Sequence, residues 1–268
     1  MTPADLLIAK DEIPIDALVL AGRRSGEVDP LASTDDVPHK ALLIAGGKPL
    51  IRRVIEALQK SRLISEIRIA APHDVRDALT SALSGLGGWS FVEPADSPAK
   101  TVLTSVEQLG GDRALLVTTC DHALLSGDIV RAFLAGARGS AAAAACVDRT
   151  VYENQFPNSR RTFIRLKGLH FSGANLFWFA GASARGLAEF WRRLETKRKN
   201  PAAMAREIGV VTAITYLTGQ MTKTGLERTI QRKTNVEARL VPLQTPEAAI
   251  DVDKPEDLAL VRSILALD

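Results

Sequence analysis

The sequence predicts a three-layer α/β fold in which a mostly parallel sheet is covered by helices on both faces, with a small β-rich insertion and a helical segment after it. Three observations predict this. Apolar runs alternate with helix-like segments along the chain, the rhythm of a parallel sheet. One run opens into a glycine-bearing stretch, Leu18-Val19-Leu20-Ala21-Gly22-Arg23-Arg24-Ser25-Gly26, and another ends in an acid, Ala114-Leu115-Leu116-Val117-Thr118-Thr119-Cys120-Asp121. A third segment, Asp251-Val252-Asp253-Lys254-Pro255-Glu256-Asp257, returns acids near the carboxyl end. A strand ending in glycine brings backbone N–H groups close to phosphates, and carboxylates at strand ends can hold a divalent cation over them.

Strands are expected at Ala17–Ala21, Glu66–Ala71, Trp89–Val92, Ala114–Thr118 and Ala141–Val147, with helices at Pro49–Lys60, Asp74–Leu83, Ala99–Leu109 and Asp128–Ala135 between them. Right-handed connections put the loops at the carboxyl ends of the strands, so Gly22 and Asp121 share one rim. After Val147 the rhythm changes. Thr162–Leu166 and Leu176–Phe179 read as short strands around a turn at Lys167-Gly168, forming a β-rich insertion beside the main sheet. Residues 183–234 read as helices broken at Gly209, Gly219 and Gly225, and Val236–Val241 and Ala248–Val252 as returning strands. Pro255 opens a terminal helix with Glu256 and Asp257 in its first turn.

A chain of 268 residues, 46% hydrophobic, can bury a full core as a single domain. Within it, residues 1–147 are read as the nucleotide-binding part, 148–235 as the insertion and helices, and 236–268 as the returning strands and last helix. A net charge of +3 with interspersed signs requires no nucleic-acid footprint. The basic run Arg192-Arg193 and Lys197-Arg198-Lys199 reads first as a solvated helix face. Cys120 and Cys146 lack metal-site spacing and read as small buried residues in a reducing compartment. Acidic residues break up the first dozen positions, and no apolar run reaches membrane-spanning length, so the expected address is the cytoplasm. Phe190, Trp191, Val210, Val211, Ile214, Tyr216 and Leu217 supply apolar surface for either an intramolecular cap or a homodimer contact.

The glycine segment matches neither the Walker loop nor the dinucleotide fingerprint, because a polar stretch from Glu27 to Pro38 precedes Lys40. The next two segments are more specific: Pro38-His39-Lys40-Ala41-Leu42-Leu43, then Gly46-Gly47-Lys48-Pro49-Leu50-Ile51. This order of strand, Leu-Ala-Gly loop, Pro-x-Lys and Gly-Lys-Pro-Leu-Ile resembles the MobA-like NTP transferases, nucleotidyltransferases with a Rossmann-like fold. The resemblance implies that Leu20, Ala21 and Gly22 meet base and ribose, that Arg23, Arg24, Ser25 and Gly26 loop around the triphosphate, and that Lys40 steadies its charge. Arg23, Lys40 and Asp121 become the catalytic candidates. Asp121 and Asp253 become ligands of Mg²⁺, and Thr101 and Ser105 nucleotide contacts. The segment Phe171-Ser172-Gly173-Ala174-Asn175 resembles the Gly-x-Asn with which such transferases hold an acceptor, which gives Gly173 and Asn175 acceptor roles, with Thr162, Arg165 and Lys167 nearby; His122, directly after Asp121, is placed to touch the acceptor too. The chain departs from the family opening in having Arg23-Arg24-Ser25 where further glycines stand, and in placing His39 between proline and lysine.

Plainer roles exist beside these. Asp121 suits a turn, Asp253 a cap for the helix at Pro255, Thr101 and Ser105 helix capping, and Asn175 a turn. Asp251 is the substitute ligand if the register slips. The implied reaction joins an NMP moiety from an NTP, CTP or GTP first, to a phosphorylated or hydroxylated small-molecule acceptor. A glycosyltransferase using a nucleotide sugar and a non-catalytic nucleotide-binding module are the alternatives. Asp121-His122-Ala123 lacks the Asp-x-Asp that the glycosyltransferase favours.

Overall fold

The computed structural model describes residues 13–22, 30–109, 113–159, 161–197 and 199–266. Strand β1 (Ile15–Leu20) is followed by a short helix α1 (Pro30–Thr34), a 3-10 turn at Lys40–Leu42 and a hairpin of β2 (Ile44–Ala45) and β3 (Lys48–Pro49). Gly46 and Gly47 form the two-residue hairpin loop with φ of +53° and +72°, a backbone that glycine adopts without steric penalty. Then come α2 (Leu50–Ser61), β4 (Glu66–Ala70), α3 (Arg76–Ala82), β5 (Trp89–Val92), α4 (Pro98–Gln108), β6 (Ala114–Thr119), α5 (Gly127–Ala137) and β7 (Ala142–Asp148). These lie within a residue or two of the segments that periodicity predicts.

The second half runs through α6 (Arg149–Gln155), β8 (Ile164–Leu166), β9 (Leu169–Phe179), α7 (Arg185–Lys197), α8 (Pro201–Ile208), α9 (Val210–Leu217), α10 (Lys223–Thr234), β10 (Ala238–Leu243) and α11 (Pro255–Leu265). The main sheet has the order β10-β7-β9-β6-β1-β4-β5, with β8 paired to β9. Only the pairings of β9 are antiparallel along that path. Here the sequence expectation is corrected. The β-rich part does not sit beside the main sheet, because β9 is eleven residues long and inserts between β6 and β7. The segment Ala248–Val252 is not a strand either. It is a 3-10 turn, Pro246–Ala249, and an irregular stretch whose Val252 N–H bonds to the Asp121 carbonyl (3.1 Å) rather than to a ladder. Gly225 breaks no helix: its N–H lies in the first turn of α10 and donates to the capping Thr222 hydroxyl (3.0 Å).

Alternation along β1 and β6 builds the three layers. Ile15, Ala17 and Val19 with Ala114 and Leu116 face one core, which takes in buried residues of α2, α5 and α11, while Leu18, Leu115 and Val117 face a second core with α4 and α7. Both faces of these strands are covered, which is why residues 17–20 and 114–117 read as apolar runs. Both cysteines are buried, and neither is in a disulfide among the described residues. Gly186 lets the start of α7 pass the end of α10, since a Cβ there would stand 2.3 Å from the Thr234 carbonyl oxygen. On α9 the side chains of Val211 and Leu217 are about four-fifths exposed. Among the described residues no helix is long and apolar enough to cross a membrane.

Candidate active site

The carboxyl ends of β1, β4 and β6 open on a cleft of about 500 Å³, lined among the described residues by Leu20, Gly22, Lys40, Ala70, Pro94 to Pro98, Thr101, Thr119, Cys120, Asp121, Glu195 and Thr196. Lys40 is aimed into it by its own local structure. His39 caps the 3-10 turn, its Nδ1 accepting from the Ala41 N–H at 3.1 Å, so the residue that separates proline from lysine orients the lysine. Asp121 follows the end of β6, where the Cys120 N–H continues the ladder to the Leu20 carbonyl (3.0 Å).

The two acids separated by 132 positions meet on one ammonium group. Lys40 Nζ forms a short hydrogen bond to Asp121 Oδ2 and another, 3.2 Å long, to Asp253 Oδ1. The backbone bond from Val252 to Asp121 ties the two acid-bearing segments together. Burial works against the Lys40 charge, but the adjoining Asp121, with Cys120 and Asp253, outweighs it and raises the pKa above the usual lysine value. Asp253 shifts upward because partial burial and the negative charges of Asp121 and Asp251 prevail over the pull of Lys40. Asp253 is not the helix cap. That role falls to Asp257, whose Oδ2 accepts from the N–H groups of Asp253 (3.2 Å) and Lys254 (2.9 Å), leaving the Asp253 carboxylate to face Lys40.

A second cluster lies alongside. Asp251 is bonded to Arg161 and accepts from Asn175 Nδ2 at 3.1 Å, while Arg161 Nε also donates to the Ser172 hydroxyl (3.0 Å). Burial alone would raise the Asp251 pKa, yet the Arg161 guanidinium holds it below the ordinary carboxylate value. Asp251 is therefore committed to Arg161 and Asn175. It is not a substitute for Asp253. Asn175 and Gly173 sit inside β9, not in a turn, and no side chain or backbone atom stands within 4 Å of where a Gly173 Cβ would be. His122, expected at the acceptor, is wholly buried with its Nδ1 3.3 Å from the Thr118 hydroxyl, and it offers the acceptor no surface. Burial pushes its pKa down to about 4 despite Asp121 and Asp251, so the ring is neutral near pH 7.

Leu20 and Gly22 line the cleft, whereas Ala21 is buried with its N–H on the Ala70 carbonyl (3.0 Å). Arg23, Arg24, Ser25 and Gly26 lie outside the described residues. Thr101 reaches the cleft, but its hydroxyl accepts from the Ala95 N–H (2.9 Å) and donates to the Ser97 carbonyl (3.0 Å), so it shapes the loop. Ser105, one turn further along α4, is not among the lining residues. Lys167 turns instead to Gln220 Oε1 at 3.1 Å.

Among the described residues four buried side-chain polar atoms have no partner, and three of them, on Thr119, Asp121 and Glu195, belong to residues lining this cleft. Buried polar atoms are otherwise satisfied as a rule, so the concentration leaves spare hydrogen-bonding capacity around this cleft. Glu195 and Thr196 were not foreseeable from sequence, because nothing local ties a helix near position 195 to the first strands. Arg161 carried a weak signal as one half of an arginine doublet.

Comparisons with known proteins bear on the family and the fold. The model of the MobA-like NTP transferase domain matches residues 17–232. A hypothetical transferase from Thermus thermophilus has a structure similar to this one over 91% of this chain and 99% of its own, at 28% identity and a TM-score of 0.77. A CMP:2-keto-3-deoxy-manno-octonic acid synthetase solved with CTP shares the fold at 15% identity and a TM-score of 0.59, over 95% of this chain and 99% of its own. A 2-C-methyl-D-erythritol 4-phosphate cytidylyltransferase from Frankia casuarinae is 44% identical over 46 residues, which is 17% of this chain and 17% of that protein.

Proposed function

The chain belongs to the MobA-like NTP transferase family, and on that premise we propose that it transfers an NMP moiety from an NTP, CTP or GTP first, to a phosphorylated or hydroxylated small-molecule acceptor, releasing pyrophosphate. The observation that carries the reading is Lys40 gathering Asp121 and Asp253 at the mouth of a cleft whose buried acceptors lack partners. The solved synthetase with CTP and the cytidylyltransferase from Frankia favour CTP of the two donors. The family match is to NTP transferases, which sets the nucleotide-sugar reading aside.

The residues fit a magnesium ion. Asp121 Oδ1 is a buried oxygen with no partner among the described residues, and Asp253 brings a second hard oxygen to the same ammonium group. Magnesium takes one or two carboxylates besides phosphates and water, and Asp121 and Asp253 supply that number. Asp121 and Asp253 would hold the ion, which when bound neutralises charge on the triphosphate and the leaving pyrophosphate. Lys40 contributes a fixed positive charge on the same rim, kept protonated by the acids it bridges. Its donors serve phosphate oxygens as readily as carboxylates. Gly22 presents no side chain to the cleft and lets the nucleotide approach the backbone at the end of β1. An acceptor oxygen then attacks the α-phosphorus in line, the new P–O bond forms as the bond to pyrophosphate breaks, and positioning supplies most of the acceleration. The Arg161–Asp251–Asn175 cluster adjoins the acids and offers the acceptor a rigid polar wall. Such a reaction belongs in the cytoplasm, where NTPs are made.

The test is pyrophosphate release from purified protein with magnesium and each of four NTPs across a panel of sugar phosphates and polyol phosphates. Release from one donor–acceptor pair, lost in Lys40→Ala, supports the assignment. Silence across a broad panel, with no NTP bound, makes the protein a non-catalytic member of its family.

A further inference from the structure

One wall of the cleft takes no part in the proposed phosphoryl chemistry. It is formed where α7 meets α4. Arg185, at the start of α7, pairs with Glu107 near the end of α4 at 3.0 Å, so the two helices run antiparallel and the last turns of α7 reach the amino-terminal end of α4. There Glu195 lines the same cleft as Ser97 and Pro98. Its Oε2 is shut off from solvent and has no hydrogen-bond partner among the described residues. Of the cations near it on α7, Arg193 Nε lies 2.7 Å from Glu207 Oε1 and Lys197 is bonded to the other oxygen of Glu207. A sequestered carboxylate oxygen without a donor is unfavourable, and a ligand that brings a donor relieves it.

We propose that Glu195 reads the nucleobase: its carboxylate accepts a hydrogen bond from the exocyclic amino group of an amino-bearing base, so that the cleft favours such nucleotides over those that lack the amine. The inference rests on the nucleotidyltransferase reading and adds a specificity-determining residue to it. A carboxylate on the wall of a cleft suits the thin edge of a planar base better than a bulky ribose. Against uracil the site would set a carboxylate oxygen opposite a carbonyl, two acceptors facing each other, so the discrimination includes repulsion as well as a lost bond. Thr101 cannot make this contact because its hydroxyl is used within the 95–97 loop.

The experiment is calorimetric binding of CTP against UTP, and of GTP against ITP, to the full chain with magnesium, for wild type, Glu195→Ala and Glu195→Gln. Alanine favours helix, so α7 should persist, and circular dichroism checks it. Wild type should bind the amino-bearing member of one pair roughly tenfold or more tightly than its partner, and Glu195→Ala should bring that ratio to about twofold or less. For the pyrimidine pair Glu195→Gln, which can donate an N–H to a carbonyl, should move the preference toward UTP. An unchanged ratio in Glu195→Ala overturns the proposal. So does an equal loss for both members of a pair that disappears with deoxyribonucleotides, which would place the contact on the ribose. If wild type binds no NTP, the nucleotidyltransferase reading fails with it, whereas NTP binding that weakens in Lys40→Ala but ignores residue 195 leaves that reading standing and removes this one.

Discussion

Asp251 and Asp253 stand two residues apart on one irregular segment, yet their surroundings divide them. Asp251 is bonded on both oxygens, to Arg161 and Asn175, and its pKa is held down; Asp253 is mostly exposed, shares a lysine with Asp121, and its pKa is pushed up. The first acid belongs to a closed network that ties the middle of β9 to the α11 approach. The second is half of an open one, with the buried Asp121 Oδ1 beside it lacking a partner among the described residues. Satisfied charges build structure, and charges left with spare capacity are where a ligand can bind.

The sharpest way to break this division is Asp121→Asn. Pyrophosphate release should fall about 10²–10³-fold in kcat/KM, the scale of losing one charge-stabilising group, while the thermal midpoint stays close to wild type. A large fall in stability with retained turnover would make Asp121 a structural acid. In the closed network the expected effects are reversed. Arg161→Ala should destabilise the fold by about 2 kcal/mol in denaturant titration, less than the loss for a fully buried pair because both side chains are partly solvated. The Asp251→Asn/Arg161→Ala double variant should lose little more than either single one.

The pH dependence follows from the direction of the Asp251 shift. Its folded pKa lies below the ordinary 3.8, so the folded state binds fewer protons than the unfolded one in that window. The Asp251 contribution is full above that value and is lost as pH falls through the depressed folded one. Acid titration of the thermal midpoint should therefore show a shallower acid limb in Asp251→Asn than in wild type. The smallest expected effect is that of Asp253→Asn. Being exposed, it should lower turnover only about tenfold, on the order of one charge-assisted contact, and leave stability unchanged.

How much of this is legible in the sequence depends on whether a contact is local. The strands β1, β4, β6 and β7 and the helices between them follow from periodicity, and Lys40, Asp121 and Asp253 follow from their motifs. Whether β9 enters the sheet or lies beside it is decided by pairings to β6 and β7 dozens of residues away, which no alternation pattern encodes. Ala248–Val252 looks like a strand because it is apolar, but Pro246 starts a 3-10 turn and no ladder partner waits for it. Asp251, Arg161 and Asn175 find one another only once β9 is in place. His122 looks like a loop residue open to substrate, and its burial beneath the rim comes from the tight turn after β6.

Everything proposed for the cleft requires Asp121 and Asp253 to converge on one cation at a triphosphate site. Crystals grown with manganese and a non-hydrolysable NTP analogue would locate that cation through the anomalous signal of the metal. The expected result is one peak in direct contact with both carboxylates and with the phosphates, and Lys40 turned toward the phosphate oxygens. A peak elsewhere, or a bound triphosphate that leaves the Lys40 bridge intact and both acids untouched, would contradict it.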